Sequence, residues 1–118
     1  MQRLSASIAF LLLAWCLALP GYGASTRSFD IAIRNGAVAG NRTARVTRGD
    51  TAILRWTSDA PVELHLHGYD VTVTVAPGGV AEMRVEARAT GRFPIEAHGK
   101  QTGGHAHQPL FFLEVYPE

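Results

Sequence analysis

The sequence holds a single cysteine, Cys16, and it lies inside an apolar N-terminal segment. Beyond that segment there is no disulfide, no thiolate nucleophile and no thiolate metal ligand. Methionine is nearly as scarce, with only Met83 after the initiator. No apolar run is long enough to cross a bilayer. The longest, residues 8–19, has 12 residues, where a spanning helix needs about 20. Neither sign of charge dominates, since 11 Lys and Arg face 10 Asp and Glu for a formal +1 at pH 7. That balance leaves no basic stripe for nucleic acid and no charged block of the kind that forms a disordered tail. Catalytic signatures are missing too. No serine sits in a Gly-x-Ser-x-Gly elbow, no glycine loop suits a phosphate, and Ser58-Asp59 beside His65 is too loose for a triad. No helical period is convincing outside the N-terminal segment, and there is no internal repeat.

What is present begins with that segment. One early charge, Arg3, precedes the apolar run, Pro20-Gly21 breaks it, and small residues follow at Gly21, Gly23 and Ala24. This is the layout of a secretory signal peptide over residues 1–24, with cleavage after Gly23 or Ala24. Cys16 is a poor lipid anchor, because bulky Trp15 precedes it and the apolar run continues past it. The expectation is an exported chain, periplasmic or secreted, with one small domain over residues 25–118. Loss of Arg3 brings its basic and acidic residues into balance.

The rest reads as short alternating runs between turn residues. Phe29, Ile31 and Ile33 form the first and Asn35-Gly36 ends it. Ala44 and Val46 form the second, closed by Arg48-Gly49-Asp50. Ala52, Leu54 and Trp56 follow, then Val62, Leu64 and Leu66, then Val71, Val73 and Val75 up to a hairpin turn at Pro77-Gly78-Gly79. Further runs span residues 80–86, 93–97 and 110–116. Strands at this spacing, with Gly and Pro turns, predict an all-β sandwich or barrel. The longest irregular stretch, residues 99–109, is polar.

All five histidines fall in the predicted domain. In "ELHLHGYD" (residues 63–70), alternation puts Leu64 and Leu66 on one face and His65 and His67 on the other. Two imidazoles so placed suit Cu, Zn or Ni. They equally suit two half-exposed polar residues opposite a leucine face. His98 ends "RFPIEAH", either as a third ligand or as a strand-end residue bonded to a loop. His105 and His107 repeat the His-x-His spacing in a glycine-rich loop, which folds over a site or simply lies in solvent. Asp70 is a candidate to hold His67 or Tyr69 in place, or to cap the amides of the corner. Glu63, Glu82, Glu86, Glu96 and Glu114 are scattered where solvent-facing residues are expected.

Taken in order, Val46 to Asp50 ("VTRGD"), "LHLHGYD", "PGG", "ATGRFPIEAH" and the closing "LEVYP" resemble small secreted cupredoxin-like domains over nearly all of residues 25–118. The resemblance implies a Greek-key β-sandwich of about seven or eight strands, with a metal at one end. It also exposes a departure, because Ala97 stands where the blue-copper cysteine would be and the following loop has no methionine. Without a thiolate, a blue site and fast one-electron transfer are not expected. "HLHG" is also similar to the His-x-His-Gly segments of multicopper oxidases, which need several such segments from two domains. The resemblance therefore implies an all-histidine site of His67, His98 and His65, joined less securely by His105 and His107, with Asp70 and Tyr69 behind them. The corner would aim His67. Copper is the expected metal, as Cu(II), with zinc possible, and the expected role is binding, buffering or delivery rather than catalysis. The competing expectation is a metal-free sandwich that docks an envelope protein. Neither reading involves nucleic acid or a membrane span after cleavage.

Overall fold

A computed structural model describes residues 23–98 and 108–118, so the expected signal peptide lies almost wholly outside the described residues. The described residues are all-β, in nine strands: β1 (Thr26–Arg34), β2 (Ala37–Val38), β3 (Thr43–Thr47), β4 (Thr51–Ser58), β5 (Val62–Leu66), β6 (Val71–Val75), β7 (Ala81–Glu86), β8 (Gly91–His98) and β9 (Phe111–Tyr116). They make a four-stranded sheet, β2-β1-β4-β7, and a five-stranded sheet, β3-β9-β8-β5-β6. The sandwich expected from alternation is the fold observed. The strand beyond the expected seven or eight is β2, a two-residue return after Asn35-Gly36. Those residues have φ of 51° and 76°, the left-handed pair that a two-residue hairpin requires.

Alternation converts directly into a core. The inward faces of β4, β5, β8 and β9 supply Leu54, Trp56, Leu64, Leu66, Ile95 and Leu113, all fully buried. Each such side chain contributes about 1.5–3 kcal/mol on burial. Trp56 sets its ring edge-to-face against Phe111, with centroids 5.4 Å apart and planes at 80°. Its indole N–H has no hydrogen-bond acceptor among the described residues.

The Pro77-Gly78-Gly79 turn differs from the expectation. Gly79 N donates to Ala76 O at 3.1 Å and Gly78 has φ of 75°, as in a type II turn with proline before glycine. It nevertheless does not close a hairpin, because β6 edges one sheet and β7 edges the other. Periodicity within each strand is the same whether the next strand pairs beside it or crosses the sandwich.

A second turn carries a buried acid. Asp50 N donates to Thr47 O at 3.0 Å. Asp50 is 7% exposed, and its carboxylate accepts from Thr47 N at 3.0 Å, Ser25 N at 3.1 Å and Ser25 Oγ at 3.0 Å. One side chain thereby ties the start of β1 to the β3–β4 turn. The hydrogen bond from the Thr47 amide, then that from Ser25, holds its carboxyl below the usual carboxylate range.

Candidate metal centre

The site is built on the outer face of the five-stranded sheet. β5 pairs with β8 so that Leu66 faces Ile95, His65 faces Glu96, Leu64 faces Ala97 and Glu63 faces His98. On the other side of β5, His65 faces Thr72 of β6. Period-2 geometry then sorts the faces. Leu64, Leu66, Ile95 and Ala97 point toward the core. Glu63, His65, Glu96 and His98 point away from it.

The two histidines of β5 and its corner meet directly. Their ring centroids are 4.3 Å apart and their planes are inclined at 66°. Each ring has its own carboxylate. His65 Nε2 lies 3.2 Å from Asp70 Oδ1, and His67 Nε2 lies 3.0 Å from Glu96 Oε2. The pairs are not equally sheltered. The Glu96 side chain is 18% exposed, whereas that of Asp70 is 97% exposed, so solvent screens the Asp70 pair far more.

The corner explains how Asp70 gets there. Gly68 has φ of 90° and Asp70 has φ of 56°. Glycine enters the left-handed region freely, and aspartate enters it more readily than most residues. A Cβ at residue 68 would sit 2.6 Å from Phe93 Cδ1, so the close approach of Phe93 also demands glycine. The turn brings the Asp70 carboxylate back over β5 to His65. The corner therefore aims at His65, and His67 is oriented by Glu96 from β8.

Tyr69 does not stand behind the histidines. Its hydroxyl donates to Ala89 O at 2.8 Å and accepts from Ala89 N at 3.0 Å. Its ring packs edge-to-face on Phe93 with centroids 4.8 Å apart. It fastens the corner to the β7–β8 connection.

His98 is exposed at the end of β8. It is the diagonal neighbour of His65 on the same face, a position about 7–8 Å away. Among the described residues no group of three or more His, Cys, Asp or Glu side chains is arranged to hold a metal ion. His98 faces Glu63 of β5, four residues before His67, so it lies beside His65 but about 13 Å along the strand from His67. His105 and His107 lie outside the described residues.

Two placements bear on the expected ligand set. Histidines 65 and 98 face outward from the five-stranded sheet, His98 as the last residue of β8. Ala97, which the sequence resemblance sets at the blue-copper cysteine position, is on the opposite face of the same sheet, packed against the core. Glu96 is the neighbour that the sequence did not single out. Its link to His67 spans 29 residues and depends on the β5–β8 register, which strand periodicity leaves open.

No protein-family profile and no curated protein matches the chain. Solved structures do. A chain of a heme-copper terminal oxidase dimer superposes with a TM-score of 0.64 at 22% identity, covering 85% of this chain and 69% of that one. A multicopper oxidase gives 0.59 at 20% identity, covering 78% and 42%. A copper nitrite reductase from Nitrosomonas europaea gives 0.61 at 16% identity, covering 79% and 42%. This chain thus spans less than half of the latter two. At these identities the likeness concerns the fold, which is the cupredoxin-like β-sandwich.

Proposed function

We propose that this is an exported copper-binding protein that buffers or delivers the metal through imidazoles on the outer face of its five-stranded sheet. One observation carries the reading: two histidine rings 4.3 Å apart on one face. The fold supports it, because solved structures that share it include a multicopper oxidase and a copper nitrite reductase. His65 and His67 would supply the first two nitrogens, and His98, beside His65 on the same face, a third only if the end of β8 shifts toward them. His105 and His107 are candidates for the remaining positions. A bound Cu(II) would supply Lewis acidity and a preference for nitrogen over thioether donors. The domain's part is to hold the rings and their protons.

The test is a Cu(II) titration followed by electron paramagnetic resonance. The expected result is about one Cu(II) with nitrogen hyperfine structure and no intense blue band. His98→Ala should weaken binding at least about tenfold. Binding no tighter than that of the His65→Ala/His67→Ala/His98→Ala variant overturns the reading. Acidification should release the metal, because imidazole must be deprotonated to ligate.

A second reading has its own observation. Both Nε2 atoms already face carboxylates, as they would in a metal-free polar face that docks a protein in the cell envelope. A normal copper-free complex formed equally well by the triple alanine variant would favour it.

A further inference from the structure

We infer that Asp70 and Glu96 are positioning residues that hold His65 and His67 as Nε2–H tautomers, leaving the two Nδ1 atoms as the paired metal donors. The inference rests on the copper-binding reading for the word metal, but its first half stands on hydrogen-bond chemistry alone.

An ionised carboxylate accepts hydrogen bonds and donates none. At 3.2 and 3.0 Å from Asp70 Oδ1 and Glu96 Oε2, both Nε2 atoms must therefore carry the proton. In a neutral ring the lone pair then resides on Nδ1. Two rings fixed this way present two identical donors on one sheet face. With centroids 4.3 Å apart, the two rings are near enough for one nitrogen of each to reach a common ion with bonds of roughly 2 Å. A carboxylate on the far nitrogen also fixes the ring's orientation. Direct ligation by Nε2 is the competing geometry. It would require each ring to give up its carboxylate.

The two carboxylates are not interchangeable. Glu96 is sheltered and comes from β8, whereas Asp70 is open to solvent on the corner. His67 is accordingly the ring held more firmly, and Glu96 is the residue whose loss matters more.

The test uses the protein expressed as the full chain and purified after export, uniformly labelled with 15N. Long-range proton–nitrogen correlation spectra are recorded on the metal-free protein at a pH where the rings are neutral, and again with Zn(II) as a diamagnetic probe. The expected metal-free spectrum shows protonated Nε2 and unprotonated Nδ1 in both rings. Zn(II) should shift the Nδ1 resonances and leave the Nε2 protons in place. Glu96→Gln offers a donor as well as an acceptor, so it should admit the other tautomer of His67 and weaken Zn(II) binding about 10–100-fold. Glu96→Asp should restore part of the tautomer preference, and circular dichroism should show both variants folded.

An unprotonated Nε2 in either ring of the metal-free protein overturns the positioning role, whatever the metal does. Zn(II) that displaces the Nε2 protons overturns the Nδ1 assignment. The expected tautomers with no response to Zn(II) or Cu(II) overturn the copper-binding reading and the donor role together, while leaving the carboxylates as the holders of the rings.

Discussion

Asp50 illustrates what one side chain decides. Its two oxygens take three hydrogen bonds from Thr47 and Ser25, and these depress its carboxyl below the usual carboxylate range. A carboxyl depressed by folding contributes stability that is present above its unfolded value, about 3.9, and is lost as pH falls through the folded value. Asp50→Asn should therefore lower the thermal midpoint at pH 7. It should also flatten the decline of that midpoint below about pH 4, because the variant has no such carboxyl to protonate. Thermal unfolding of both proteins at pH 7 and pH 3 measures this, and an equal gap at the two pH values would contradict it. The sequence placed Asp50 in a turn but gave no sign of its partner Ser25, which is 25 residues away. The same holds for Glu96. Its neighbours in sequence mark it as outward-facing, and only the register names the histidine it meets.

At the scale of elements, the corner between β5 and β6 makes the sharpest demand. Gly68→Ala combines a left-handed backbone, which costs about 1–3 kcal/mol for a side-chain-bearing residue, with a Cβ 2.6 Å from Phe93. The expected loss exceeds the backbone cost alone. Trimming the ring, in Gly68→Ala/Phe93→Leu, should recover the steric part, so the two substitutions should be non-additive in denaturant unfolding. Strict additivity would mean that Phe93 does not limit residue 68. Strand bounds were largely readable from alternation: the runs around Val62 to Leu66 and Val71 to Val75 coincide with β5 and β6. What alternation does not carry is the choice of partner strand. Pro77-Gly78-Gly79 has the chemistry of a tight turn in either topology, and the bridge between sheets follows from where β7 finds its apolar match on β4.

For the molecule as a whole, the core and the metal make separable contributions. Trp56 is the largest fully buried side chain of the core, and Trp56→Ala should cost about 3–5 kcal/mol, read as a shift of the denaturant midpoint. Such a loss is a large share of the stability of a small domain. Copper should act in the opposite direction. A ligand that binds the native state alone, at about 100 times its dissociation constant, adds about 2.7 kcal/mol. The unfolding midpoint should rise by that increment with Cu(II) and fall back when a chelator removes it. The triple alanine variant should show neither change. A rise of equal size in that variant would place the copper elsewhere.

The sealed floor beneath the histidines has a practical consequence. Leu64, Leu66 and Ile95 close the core under positions 65 and 67, while Gly68, Tyr69 and Phe93 form the corner without using either imidazole. The two positions thus behave as a socket in a finished wall. A donor pair of other chemistry, such as two cysteines, should plug into it with the sandwich intact, making the face a testbed in which metal preference is rewritten two residues at a time.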